Sequence, residues 1–273
     1  MILINNKPIT IKRFPNGEAR IEKKEIQEAV ALINWKDQGI VNITMQFESD
    51  ADFFDLLLVR KALWMPVELH LPYFPYSRMD RKSDAFVFTL KSVGKFINWL
   101  DFAKVHIYEP HSDVTPAILN KCVIHNIIPS LFAQTPFNRE NDYVLYPDAS
   151  AFKKYAGLTD PGMELIGFKQ RDFLTGKFLR MDIVGKIDHS ANVFVVDDLC
   201  SKGGTFVFAA TELQKQITGN LYLVIAHCES SIFDGKVFDY YDEIYTTNTI
   251  PGLEHKNDKL KIFDYTEMVD STH

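Results

Sequence analysis

The sequence predicts an α/β protein of two similar three-layer domains with mostly parallel sheets. Three observations carry the prediction. Apolar runs of strand character alternate with runs at helical spacing along the chain, the pattern of a parallel sheet with helices on both faces. The alternation passes through two cycles, separated by the polar, turn-rich stretch Pro136–Asn141. A chain of 273 residues exceeds one small core and suits two domains of roughly 100–150 residues. The boundary is therefore placed between residues 137 and 138, giving domains 1–137 and 138–273.

In the first cycle, Ile2–Ile4 and Ile9–Ile11 read as short strands and Lys24–Ile33 as a helix. Ile40–Gln46 alternates as a strand, Ala51–Leu63 has helical spacing, and Val67–Leu71 is a strand running into a Pro- and Tyr-rich loop. Phe86–Trp99 is helical and Val105–Tyr108 is a strand. In the second cycle, Tyr143–Leu145 is a strand, Ala149–Tyr155 a helix, and Glu164–Lys169 and Val193–Val196 strands. Helix Phe206–Gln216 and strand Leu221–Ala226 follow. Asp270–His273 reads as a fraying tail.

Composition excludes several classes. A net charge of −6 provides no basic field for nucleic acid or an anionic membrane, so any phosphate binding must come from local groups. No apolar run reaches the ~18 residues of a membrane span, and the N-terminal MILINNKPITIKRF lacks the layout of a signal peptide. Cys122, Cys200 and Cys228 are scattered, with no CxxC, which fits reduced thiols and a cytoplasmic location.

The richest segment is Val193–Thr205, VFVVDDLCSKGGT. An apolar strand stops at Asp197 and Asp198, a turn reaches Gly203-Gly204-Thr205, and a helix begins. Ligands of open α/β sheets lie outside the carboxyl ends of the strands. The bare N–H groups of a helix N-terminus hold phosphate, glycines admit close backbone approach, and carboxylates accept hydrogen bonds from sugar hydroxyls. The segment therefore reads as a site for a phosphorylated sugar. A second segment, Pro72–Lys82, PYFPYSRMDRK, is a strand-end loop carrying Arg78, Asp80, Arg81 and Lys82 among aromatics. Guanidinium groups bind phosphate oxygens in pairs.

Together these two segments resemble ribose-phosphate pyrophosphokinase, the family of PRPP synthetases, and the resemblance runs in order from about Arg13 to Ile250. It implies two phosphoribosyltransferase-like domains, the first with the ATP loop and the second binding ribose phosphate. It also implies Mg2+-dependent transfer of the β,γ-pyrophosphate of ATP to the C1 hydroxyl of ribose 5-phosphate, giving PRPP and AMP. By the same resemblance Arg78, Asp80 and Arg81 contact ATP. RFPNGE is similar to the family's RFxDGE, so Phe14 would stack on adenine and Glu18 accept its amine, with Asn16 in place of the family's Asp. Because the family's ATP site borrows from a neighbouring subunit, a homo-oligomer, dimer or higher, is implied.

His111, in YEPHSD, and Asp148, in LYPDASAFKKY, match metal-proximal positions; Asp148 also suits a helix N-cap. His227 matches a position behind the site. Lys169 and Arg171, in GFKQRD, match the family's K-x-R on a mobile loop, implying cations that steady the transferred pyrophosphoryl group. The following Asp172–Ile187 suits a lid. Asp197 and Asp198 would hold the ribose hydroxyls, and Ser201, Lys202, Gly203, Gly204 and Thr205 would form the phosphate nest.

Two departures open alternatives. The third Asp usual after the acidic pair is absent, and Lys202 places a cation beside the phosphate pocket. A 5′-extended ribose such as ADP-ribose is then an alternative acceptor. A non-catalytic regulatory subunit of the same fold and a phosphoribosyltransferase are further alternatives. Retention of His111, Asp148, Lys169 and Arg171 speaks against the first, and the Pro72–Lys82 loop against the second.

Overall fold

Strict alternation decides which face each inner strand of the first sheet turns to its core. Val41, Ile43 and Met45 are fully buried, while Asn42 and Thr44 between them are not. The computed structural model describes residues 1–33, 39–171, 178–254 and 256–269. They fall into two compact units, Met1–His125 and Asn126–His273.

The first unit contains, in order, β1 (Ile2–Ile4), β2 (Lys7–Pro8), β3 (Lys12–Arg13), β4 (Ala19–Arg20), α1 (Lys23–Val30), β5 (Val41–Met45), α2 (Ala51–Lys61), β6 (Val67–Leu71), α3 (Thr89–Trp99), β7 (Lys104–Tyr108), α4 (Val114–Ile118) and β8 (Cys122–His125). Its main sheet has the order β2-β1-β5-β6-β7-β8. Strands β5 to β8 are parallel, with β1 and β2 an antiparallel extension. Helices α1, α2 and α3 send Ile26, Ala29, Leu56, Val59, Leu90, Val93 and Ile97 into a core shared with Ile43, Leu69 and Ile107. The opposite strand positions, Asn42, Glu68, His70, Lys104, His106 and His125, are polar.

The second unit contains α5 (Ile128–Phe132), β9 (Tyr143–Tyr146), α6 (Ala149–Tyr155), β10 (Glu164–Arg171), β11 (Phe178–Val184), β12 (Val193–Cys200), α7 (Gly204–Leu213), β13 (Leu221–Cys228), β14 (Glu243–Thr247) and β15 (Leu260–Phe263). Its sheet runs β11-β10-β9-β12-β13-β14-β15, parallel throughout except for β11. Helix α7 buries Phe206, Ala209, Ala210 and Leu213 in the core with Leu145, Val195 and Leu223. The other face meets α5 and α6, through Phe132 against Phe194 and Phe152 against Tyr146. The sheet is thus sandwiched between helices, with the carboxyl ends of β9, β10 and β12 at one rim.

The fold class is as the sequence predicts, and four details differ. Ile9–Ile11 forms no strand; Leu3 and Ile4 pair instead with Pro8 and Lys7, and Ile9 donates its N–H to Ile2. The unit boundary falls at His125/Asn126, earlier than residue 137, because Phe132 and Phe137 both pack edge-on against Phe194 of β12. Residues 178–184 of the segment assigned to a lid form β11, which pairs antiparallel with β10 and places Met181 opposite Lys169. Lys169 and Arg171 accordingly lie on a strand rather than a loop. Residues 172–177 and the tail Asp270–His273 lie outside the described residues. Strands β8, β14 and β15 were not anticipated. None of the described helices is long and apolar enough to cross a membrane.

Candidate active site

In the second unit three parallel strands end together, and each delivers a carboxylate or a lysine. Asp148 follows β9 and caps α6, its Oδ1 accepting the backbone N–H groups of Ser150 and Ala151 at 3.0 Å each. Its Oδ2 accepts from Lys169 Nζ of β10 at 2.7 Å. The helix-cap role expected of Asp148 is thus filled by one oxygen, and the other pairs with Lys169. Burial pushes its pKa up, but the Lys169 ammonium and the two backbone donors outweigh burial and hold it below the usual carboxylate range.

Asp197 and Asp198 end the apolar part of β12. Asp198 is buried, at 5% exposure, and accepts from Lys154 Nζ on α6. Asp197 accepts the N–H of Asp198 at 2.9 Å. Half-exposed at its surface yet ringed by protein, Asp197 has its pKa raised by burial first and then by the negative charges of Asp198 and Asp148. The two neighbouring acids are therefore unlike: Asp198 pairs with a lysine, while at Asp197 the Asp198 N–H and the Lys169 charge offset only part of the upward shift.

The turn that follows is shaped by close backbone approaches. Gly203 has φ +74°, and a Cβ there would lie 1.9 Å from Val237 Cγ2, so both backbone and space demand glycine. A Cβ on Gly235 would meet the Lys202 carbonyl at 2.1 Å, which fixes the far side of the turn. Ser201 Oγ lies 3.0 Å from Ser231 Oγ. Gly203 is the N-cap of the ten-residue α7, and no side chain caps that end. A Cβ on Gly204 would meet nothing within 4 Å, so the mouth of the turn is open. Lys202 is exposed and Thr205 half-buried. This is the geometry of an anion cradle: unsatisfied N–H groups at a helix start, lined by glycine. His227, behind it, is 1% exposed and bonded through Nδ1 to Thr249 Oγ1 at 2.8 Å.

In the first unit, Asp80 and the loop of His111 meet. Asp80 Oδ2 accepts from Ser112 Oγ at 2.9 Å, and Ser112 Oγ accepts the N–H of Val114 at 3.1 Å. Arg78 and Arg81 are exposed and His111 half-buried. RFPNGE forms the turn between β3 and β4: Phe14 donates to the Glu18 carbonyl at 2.9 Å, and Asn16 Oδ1 accepts the Glu18 N–H at 3.2 Å. Phe14 is 49% exposed, an unusual state for a phenylalanine without a partner surface. Arg13 anchors this turn to α2 through Asp55 at 2.5 Å.

Sequence reasoning found Asp148, Lys169, Asp197, Asp198 and the glycine turn, which the structure groups at one rim. It missed Lys154, visible only as one of two lysines in FKKY, and Ser112. The side chain of Arg171 lies outside the described residues.

No family model matches the chain. Curated relatives do. A ribose-phosphate pyrophosphokinase of Thermococcus kodakarensis is 28% identical over 89% of this chain and 86% of that protein. One from Pyrococcus abyssi is 25% identical over 94% of this chain and 88% of that protein. Over most of its length the chain is similar to curated ribose-phosphate pyrophosphokinases. The crystal structure of phosphoribosylpyrophosphate synthetase from Mycobacterium smegmatis superposes with a TM-score of 0.66, covering 96% of this chain and 89% of that one at 14% identity. The fold is therefore retained at an identity where few side chains are shared, and the pyrophosphokinase assignment rests on the sequence relatives.

Proposed function

We propose that this protein is a diphosphotransferase that moves the β,γ-pyrophosphate of ATP to the C1 hydroxyl of ribose 5-phosphate. The observation that carries this reading is the juxtaposition, at one rim, of an acid cluster and an uncapped, glycine-lined helix start. The first accepts sugar hydroxyls and the second takes a phosphomonoester. In this reading Asp197 and Asp198 orient the ribose through its 2′ and 3′ hydroxyls. Ser201, Lys202, Gly203, Gly204 and Thr205 hold the 5′-phosphate.

Arg78, Asp80 and Arg81 bind ATP, with Phe14, Asn16 and Glu18 at the base. Lys169 and Arg171 stabilise negative charge as the pyrophosphoryl group transfers, an electrostatic and positional catalysis rather than a covalent one. The carboxylate oxygens at the rim, Asp148 among them, suit Mg2+, and the family resemblance implies His111 of the first unit as a further metal-proximal group. When bound, the ion neutralises triphosphate oxygens. The three free cysteines accord with a reducing, cytoplasmic setting, and the family resemblance with a homo-oligomer.

The test is AMP formation from ATP, Mg2+ and ribose 5-phosphate, with mass detection of PRPP. Turnover supports the reading, and a folded protein with none overturns it in favour of a regulatory subunit. Lys169→Ala is expected to lower kcat by about 10²–10³ with ATP affinity within severalfold; unchanged kcat removes Lys169 from the mechanism. One observation favours a second reading: the exposed Lys202 at the open cradle suits a diphosphate as well as a monoester. If ADP-ribose is used in preference to ribose 5-phosphate, and Lys202→Thr reverses the preference, the acceptor is the extended ribose.

A further inference from the structure

Outside the candidate active site, the polar face of the first sheet gathers four donors on neighbouring strands. Glu68 and His70 lie on β6 and His106 on β7, with one ligand atom from each within 4.8 Å of the others. His70 and His106 are register partners. Glu68 and His106 side chains are each only 12% exposed. His125 of β8 joins through its Nε2, 2.9 Å from His106 Nδ1.

With neutral imidazoles, the hydrogen bonds assign one tautomer to each ring. His106 Nε2 faces Glu68 Oε2 at 3.0 Å, and a carboxylate only accepts, so Nε2 carries the proton. His106 Nδ1 is then an acceptor, and His125 Nε2–H donates to it. His70 Nε2 donates to Asn42 Oδ1 at 3.1 Å, which leaves Nδ1 to accept from the Tyr108 hydroxyl at 2.8 Å. The network is satisfied with these imidazoles neutral, the state in which histidine ligates metals.

We propose that Glu68, His70 and His106 form a binding site for a borderline transition-metal ion of the Zn2+ class. Imidazole and carboxylate donors suit such ions, whereas Mg2+ prefers an all-oxygen shell. Tetrahedral bonds of ~2.0–2.1 Å separate neighbouring ligand atoms by roughly 3.3 Å, close to the 3.0 Å already present between His106 Nε2 and Glu68 Oε2. Ligation needs three adjustments. One ring nitrogen of His70 must give up its present bond, Nδ1 the one from Tyr108 or Nε2 the one to Asn42, and in the second case its proton moves to Nδ1. The His70 and His106 rings, now stacked with centroids 4.3 Å apart and planes 8° from parallel, must tilt, because an ion lies in the plane of each imidazole that binds it. The His106 proton must also leave Nε2 for Nδ1. That reverses the bond to His125: His106 Nδ1–H now donates and His125 Nε2 accepts, with the His125 proton on Nδ1. His125 thus becomes the partner that orients the ligand. Lys104 Nζ, 3.2 Å from Glu68 Oε1, competes with the ion.

The test is calorimetric titration of chelator-stripped full-length protein with Zn2+, with Co2+ absorption as a spectroscopic check. The expected result is one ion per chain. His70→Gln or His106→Gln should abolish the site or weaken it at least 100-fold. His125→Phe should weaken it about 10-fold, and Lys104→Met should tighten it severalfold. Circular dichroism of each variant confirms folding, so loss of binding cannot come from unfolding. The proposal is overturned if stripped wild-type protein binds no ion, or if the His70→Gln/His106→Gln double variant binds as tightly as wild type. It is equally overturned if Lys104→Met binds more weakly. None of these outcomes depends on catalytic turnover.

Discussion

Replacing Gly203 by alanine is expected to destabilise the second unit by about 2–5 kcal/mol, a large share of an ordinary domain's stability. Two costs combine. The backbone at φ +74° is left-handed, which disfavours an L-residue by ~1–2 kcal/mol. The new methyl would also sit 1.9 Å from Val237 Cγ2, far inside the ~3.5–4 Å of a comfortable carbon contact. Val237 is fully buried and stiff at its β-branch, so backbone must move, an overpacking cost of ~1–3 kcal/mol. Urea denaturation followed by far-ultraviolet circular dichroism reads the change as a lower midpoint at constant slope. A cycle with Val237→Ala separates the costs, because the smaller residue removes the clash and leaves the backbone cost; the coupling should be about 1–3 kcal/mol. A Gly203→Ala protein with an unchanged midpoint, or a cycle without coupling, refutes the account of this turn.

Further expectations concern the acids. Lys154→Met should cost about 3–5 kcal/mol, because it removes the cation paired with the buried Asp198 carboxylate, and Asp198→Asn in the same chain should restore most of that; both are read by denaturation. Asp197 has a folded-state pKa raised above its unfolded value, so the folded state binds the proton more tightly. The stability this provides is present at acid pH and lost as pH rises through the folded pKa. Asp197→Asn should therefore melt higher than wild type above neutrality and converge with it near pH 4; a constant difference in Tm across that window rejects the assignment. Asp148 has the opposite sign, since its folded pKa is lowered. Its contribution is full above the ordinary carboxylate pKa and lost as pH falls through the folded one, and Lys169→Ala should shrink it, a difference that melting curves show at pH 6 but not near pH 2.

What the sequence revealed followed from local rules. Period-two alternation in Val41–Met45 and Val67–Leu71 exposes their strands and their buried faces. The run from Val193 to Thr205 shows strand, acids and glycines in contiguous order. What stayed hidden depends on register or on long-range packing. His70 and His106 are 36 positions apart in sequence, and only the parallel pairing of β6 with β7 makes them neighbours. Lys154 reads as an ordinary helix lysine until α6 is laid beside the end of β12. Polar FNREND marks a surface turn, yet Phe137 inside it packs on Phe194, so hydrophilicity misplaced the boundary. Residues 178–184, FLRMDIV, alternate well enough to be a strand, but the family's mobile loop invited a lid.

The charge balance at the rim is suited to the two unlike groups the proposed function would bring there. Three carboxylates, Asp148, Asp197 and Asp198, meet two ammonium groups, Lys154 and Lys169. Were all three acids ionised, the pocket would carry a surplus negative charge and repel a phosphorylated substrate. The raised pKa of Asp197 trims that surplus and leaves a group able to give or take a hydrogen bond. A sugar's hydroxyls need only such bonds and bring no charge. On the proposed reading the phosphate's charge is directed elsewhere, to the start of α7, which no side chain caps. On that reading, separating acids from cradle by the short turn Ser201–Gly204 would let the neutral and the anionic ends of one ligand be bound by different physics. The steep glycine requirement at position 203 follows from keeping that turn so short.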